Sequence, residues 1–165
     1  MKKSLFFLLI MLLAVSSVFS QSNFKIGVNA GIPVGDVEDL ATFQLGADVA
    51  YLYPVSELFS VGALAGYSHF FGEDDVPLLG GSGSVEDFSF IPIAASARFG
   101  FANSLFVGAD LGYAIGVDDG NDGGLYYRPK VGYNFGPVAA IASFAGIAVD
   151  GGDVSSVNLG VEFGF

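Results

Sequence analysis

The chain has 165 residues, six basic against seventeen acidic, for a net charge of −11. Hydrophobic residues make up 52% of it and charged residues only 14%, and the mean hydropathy is +0.60. The surplus of acids argues against nucleic acid as a partner, because it repels phosphate. The absence of cysteine excludes a disulfide framework and a lipid-modified cysteine anchor.

The first predicted element is a secretory signal peptide over residues 1–20. Met1, Lys2 and Lys3 form a basic start, residues 5–15 an apolar run, and residues 16–20 a small, weakly polar stretch. Val18 and Ser20 stand at the −3 and −1 positions of a cut before Gln21. The apolar run is too short for a membrane helix, which needs roughly 20 residues. Residues 21–165 are expected to form one domain. It retains four basic and seventeen acidic residues, a net charge of −13. Gly, Asp and Pro interrupt every later apolar stretch. An exported apolar chain without membrane helices is best satisfied by a closed β-barrel, which pairs all backbone polar groups between strands.

Eight segments with period-two alternation follow in order: 23–32, 42–53, 58–71, 88–101, 104–117, 125–135, 138–149 and 155–165. Each is near the roughly 9–11 residues that cross a bilayer as a tilted strand. The connections at 54–57, 102–103 and 136–137 are short, whereas 33–41, 72–87, 118–124 and 150–154 are longer. Short periplasmic turns and longer outer loops are the outer-membrane pattern. The last segment reads S-S-V-N-L-G-V-E-F-G-F and ends on an aromatic residue. Leu159, Val161, Phe163 and Phe165 share one face of it. An aromatic end of this kind is similar to the signal read by the outer-membrane insertion machinery. The expected fold is therefore an all-β, eight-stranded, antiparallel up-and-down transmembrane β-barrel in the cell outer membrane.

The two faces differ in kind. One carries Val, Ile, Leu, Ala and aromatics; the other is mostly Gly, Ala, Ser and Asn. All four basic residues after the signal segment, Lys25, Arg98, Arg128 and Lys130, fall on the Gly-rich face. So do the three strand-borne acids, Asp48, Asp110 and Glu162. Thirteen of the remaining fourteen acids lie in the four long connections, and Glu57 is in a short turn. Periodicity alone leaves the inside undecided, since a soluble apolar-ligand carrier would alternate identically. Three observations favour an apolar exterior. A soluble surface is normally about 25–35% charged, small residues suit a narrow lumen, and aromatics gather at the strand ends of the apolar face. The seventh segment is apolar on both faces, so its register is open.

At 88–116 the chain reads F-S-F-I-P-I-A-A-S-A-R-F-G-F-A-N-S-L-F-V-G-A-D-L-G-Y-A-I-G. This resembles the PorT-like outer-membrane β-barrel domain family of Bacteroidetes-type bacteria. The family has an aromatic-x-x-I-P-x opening in its fourth strand and a V/L-G-A-x-x-G-Y fifth strand. F-K-I-G-V-N-A-G at 24–31 and N-L-G-V-E-F-G-F at 158–165 fit the same resemblance, which departs at the Ala-rich stretch 138–149. It implies the barrel and no ligand, cofactor or catalytic residue.

The seven lumen charges can line an ion path or pair as a salt-bridge plug. An eight-stranded barrel is just wide enough to be filled by its own side chains, and unpaired buried charge is costly, so pairing is expected. The run D-D-G-N-D-G-G at 118–124 lacks the spacing and the twelfth ligand of a Ca²⁺ loop, and no metal or cofactor site is expected. Val76, Pro77, Leu78 and Leu79 in loop 72–87 are a candidate patch for a protein partner, or equally an apolar tip that folds back over the barrel mouth. His69 and Ser89 share a lipid-facing position near the outer rim, an arrangement similar to lipid A deacylases. With no acid visible on that face, no catalysis is expected there. The expected function is a non-enzymatic barrel with a plugged lumen, embedded in outer-membrane lipid, whose acidic loops meet lipopolysaccharide, divalent cations or a protein partner. The rival readings are a narrow passive pore, a lipid A-acting hydrolase and a soluble periplasmic carrier.

Overall fold

The computed structural model describes residues 23–73, 76–78, 81–101, 104–118 and 120–165. The expected signal peptide, Asp74, Asp75, Leu79, Asp119 and the turn at 102–103 lie outside those residues. The alternating segments become strands β1 (Phe24–Val34), β2 (Ala41–Pro54), β3 (Phe59–Gly72), β6 (Phe88–Gly100), β7 (Leu105–Gly116), β8 (Gly124–Phe135), β9 (Val138–Val149) and β10 (Gly152–Gly164). They close into an antiparallel barrel in the order β1-β10-β9-β8-β7-β6-β3-β2. A short hairpin, β4 (Val76–Leu78) and β5 (Gly81–Gly83), stands apart within the largest loop.

Following paired residues around the ring from Lys25 leads back to β1 beside Val34, a stagger of about ten residues. That stagger tilts the strands. A twelve-residue strand such as β7 rises about 28 Å along the axis at roughly 3.3 Å per residue and 45° tilt, enough for an apolar band of about 25 Å.

Side chains follow the pleat as the sequence reading expects. The outside carries Ile, Leu, Val and aromatics, with Ile32 at 67%, Phe135 at 65% and Leu159 at 71% exposure. The inside holds Arg98, Asp110, Arg128, Lys130 and Glu162, all buried. An apolar exterior around a charged interior is the inverse of a soluble ligand carrier, and only a bilayer accommodates it. β9, whose register the alternation leaves open, is fixed by its neighbours. Lys130 pairs with Ser143 and Asn158 also pairs with Ser143. Ile141, Ser143, Ala145 and Ile147 therefore face the lumen, and Ala140, Ala142 and Phe144 face lipid.

Two connections differ from the sequence expectation. The link expected over 150–154 is a turn of Asp150 and Gly151, because β10 already begins at Gly152. Gly151 takes φ 99°, a left-handed value that glycine adopts without strain. Asp153 therefore lies in the strand rather than in a loop. The largest loop, read as irregular, contains the β4–β5 hairpin.

Candidate functional site

Two groups of side chains repay description: the lumen network and a cluster at the outer rim. In the lumen, Arg98 reaches from β6 to β10 and binds Glu162 through both carboxylate oxygens, with Nη1 donating to Oε1 at 2.6 Å. The guanidinium lies 4.9 Å from the Phe106 ring centre. Arg128 Nη1 donates to Asp48 Oδ2 at 2.9 Å, joining β8 to β2, and its Nε donates to Asp110 Oδ2 at 2.8 Å. Lys130 Nζ donates to both oxygens of Asp110, at 2.7 and 2.8 Å, and Ser96 Oγ donates to Asp110 Oδ1 at 2.6 Å.

β6 and β10 stand four places apart in the ring of eight, and so do β8 and β2. Both arginine bridges thus cross the full width of the barrel. Six of the seven residues singled out from the sequence are brought together. Lys25 is not: it is half-buried at the periplasmic mouth, with Nζ over Gly164, and joins no ion pair among the described residues.

A second layer, which the charge pattern did not signal, fills the outer half of the lumen. Phe70 and Phe88 stack at 5.0 Å, and Phe90 meets both edge-on at 6.1 and 6.0 Å. Leu64, Tyr126, Ile147 and Val154 complete this cluster, and Val37 of the first outer loop packs onto it. The signal available was parity: Phe70, Phe88, Phe90 and Tyr126 share the face of the lumen charges.

At the outer rim, His69 on β3 pairs with Ser89 on β6. His69 Nδ1 lies 2.9 Å from Ser89 Oγ, and Tyr67 Oη donates to the same Oγ at 2.9 Å. Asp87, from the end of loop 72–87, places Oδ2 3.3 Å from His69 Nε2. The sequence reading found no acid for His69; the structure supplies one. Alternation cannot reveal it, because Asp87 precedes β6 and arrives through the loop. Its other oxygen accepts from the Gly72 backbone N–H at 2.9 Å. Ser89 N–H donates to Asp118 Oδ2 at 2.6 Å, so the rim cluster ties two outer loops to the wall. Among the described residues no group of three or more His, Cys, Asp or Glu is placed to hold a metal ion.

At the end of β10, Leu159, Val161 and Phe163 are exposed on the outer face, and the Phe165 backbone N–H donates to Phe24 O at 3.1 Å.

No protein-family model matches the chain, and no curated protein matches it. Among solved structures it is similar to the Yersinia pestis outer membrane protein Ail. The crystal structure of Ail matches at 20% identity and TM-score 0.57, covering 86% of this chain and 96% of that one. Its structure in a phospholipid bilayer nanodisc matches at 16% identity and TM-score 0.55, covering 86% and 99%. A de novo designed transmembrane β-barrel matches at 11% identity and TM-score 0.51, covering 85% and 92%. At these identities the likeness is one of fold. The chain is a small eight-stranded transmembrane β-barrel of the outer-membrane type. Its apolar exterior and this fold place it in the outer membrane.

Proposed function

We propose that the barrel is plugged and non-conducting, that its lumen carries no catalysis, and that it works as a structural and surface-interaction protein through its outer loops. The observation that carries this reading is the pair of arginine bridges crossing the barrel, Arg98 to Glu162 and Arg128 to Asp48. A conducting lumen needs mobile, hydrated side chains, whereas these are buried and mutually paired. The aromatic layer of Phe70, Phe88 and Phe90 adds a second obstruction in series. The alternative of a narrow passive pore requires both layers to leave a water path.

The partners follow from what the ends of the barrel carry. The outer end is acidic, with Asp36, Glu38, Asp39, Glu73, Glu86, Asp87, Asp118, Asp122 and Asp150 in its connections. Lipopolysaccharide and outer-membrane lipid surround that end, and loop 72–87 is the segment long enough to contact a protein partner. The fold is one that carries the attachment invasion locus protein of Yersinia pestis. Membership of the PorT-like family is supported by the motif residues at 88–116. Residues 1–20 would direct export, and Leu159, Val161, Phe163 and Phe165 would be read by the insertion machinery.

The test is conductance. Refolded protein reconstituted in a planar bilayer is expected to leave a closed baseline at moderate voltage, with insertion verified by a heat-shift gel. Stepwise channels from folded protein would overturn the plugged reading in favour of the pore.

A further inference from the structure

We propose that Ser89, His69 and Asp87 form an acyl-ester hydrolase site at the lipid-facing outer rim, acting on lipids of the outer leaflet. This goes beyond the plugged-barrel reading and does not depend on it, since the site lies on the opposite side of the barrel wall.

The contacts suit one tautomer. With the ring proton on Nε2, facing the Asp87 carboxylate at 3.3 Å, Nδ1 offers its lone pair to Ser89. Tyr67 Oη donates to Ser89 Oγ, which leaves the serine hydroxyl proton free to donate to Nδ1 at 2.9 Å. That is the arrangement of nucleophile, base and orienting acid that activates a serine, with the two ring nitrogens exchanged in role. Asp87 is itself held by the Gly72 N–H. The His69 ring is fixed between the Tyr67 ring at 6.4 Å and the edge of Phe71 at 4.5 Å.

The surroundings name the substrate class. Leu45, Tyr67 and Ile91 are exposed on the outer face around the cluster and offer a bed for an acyl chain. The acidic and polar loops begin immediately beyond it. An ester carbonyl at the boundary between hydrocarbon and headgroup lies at the height of Ser89. Ser89 is only 4% exposed, and Tyr67 Oη sits on its hydroxyl, so the Tyr67 side chain must give way for the ester to reach Oγ.

The chemistry closes with water as the only co-reactant. Ser89 Oγ attacks the ester carbonyl carbon while its proton passes to His69 Nδ1. The carbon–alkoxy bond then breaks, and the leaving alkoxide takes that proton as an alcohol. Water from the interface attacks the acyl-serine, again giving a proton to Nδ1. Collapse returns that proton to Ser89 Oγ and releases the fatty acid.

The test uses the refolded full chain in mixed micelles. The probes are p-nitrophenyl palmitate, phosphatidylethanolamine vesicles and lipopolysaccharide, with released fatty acids read by mass spectrometry. Labelling by a long-chain fluorophosphonate provides a second readout. Expected are fatty-acid release and fluorophosphonate labelling at Ser89 in the parent, both lost in Ser89→Ala. His69→Ala should lower release by roughly a hundredfold. Asp87→Asn should be impaired and Asp87→Glu restored, a rescue that a purely structural loop contact would not produce in a hydrolysis rate. Plain fatty acids from vesicles would identify phospholipid as the source, and 3-hydroxylated or 3-acyloxy acids would identify lipopolysaccharide. Folded parent that neither labels nor releases fatty acid overturns the proposal, as does release that persists in Ser89→Ala. Channel formation in the conductance test would bear only on the lumen.

Discussion

At the scale of single residues, the lumen bridges make a sharp energetic claim. Glu162→Ala leaves the Arg98 guanidinium buried without its carboxylate, which costs about 3–5 kcal/mol. Replacing both, Arg98→Met with Glu162→Leu, removes the charge and its desolvation together and is expected to cost far less than either single change. Urea unfolding of the refolded barrel in detergent, followed by the loss of the gel shift, measures both. A double variant as unstable as the single ones would show that the bridge is not a paired unit. Gly132 offers a second claim. A Cβ there would stand 2.3 Å from the Phe106 ring, the ring on which Arg98 rests. Gly132→Ala is expected to destabilise by about 1–3 kcal/mol through overpacking, and Phe106→Leu in the same chain should recover part of the loss in the same urea titration. The faces of these residues were legible in the sequence, because parity assigns a side to each strand residue. Their partners were not, because height in the barrel depends on register between strands that are distant in sequence. Lys25 shows the difference. It has the right parity but stands at the mouth and forms no ion pair among the described residues.

At the scale of elements, β9 is where the sequence runs out and neighbours decide. Its residues are apolar on both faces, so no hydrophobic alternation selects one register over its one-residue slip. The flanking strands do so, since β8 and β10 both match polar lumen residues to Ser143. The consequence is testable: Ala142→Arg points a charge at lipid and is expected to cost about 2–4 kcal/mol. Urea midpoints compared with Ala142→Leu, which keeps the surface apolar, isolate the charge. An Ala142→Arg barrel as stable as Ala142→Leu would place position 142 in the lumen and shift the whole strand. The outer connections show a complementary limit. Asp150 and Gly151 lie in a D-G-G-D run that reads as loose loop by composition. The turn consumes only two residues because Gly151 supplies the positive φ, and Asp153 then enters β10. Asp87 reaches His69 for a related reason: a loop returns residues to the rim that no strand periodicity tracks.

At the scale of the whole molecule, the plug proposed above has two layers. An aromatic layer of Phe70, Phe88 and Phe90 sits towards the outer end. A charge layer of Arg98, Glu162, Arg128, Asp48, Asp110 and Lys130 sits below it. On the plugged reading the two layers obstruct in series, so opening one leaves the other shut. Phe70→Ala with Phe90→Ala should therefore remain non-conducting in a planar bilayer, although the cavities destabilise the fold by several kcal/mol. Arg98→Ser with Glu162→Ser, which removes one of the two cross-lumen bridges without leaving an unpaired charge, should remain closed as well. Combining the four substitutions with Arg128→Ser and Asp48→Ser removes both cross-lumen bridges and two of the three rings of the aromatic layer, leaving Phe88 and the Asp110–Lys130 pair. It is expected to give small, steady channels. A heat-shift gel on each variant separates an opened barrel from an unfolded one. Current from the aromatic double variant alone would mean that the charge layer passes ions and that the plug is the aromatic layer. A silent but folded six-residue variant would place the obstruction in Phe88, the Asp110–Lys130 pair or the outer loops. The order in which conductance appears thus reads out which layer holds the barrel shut.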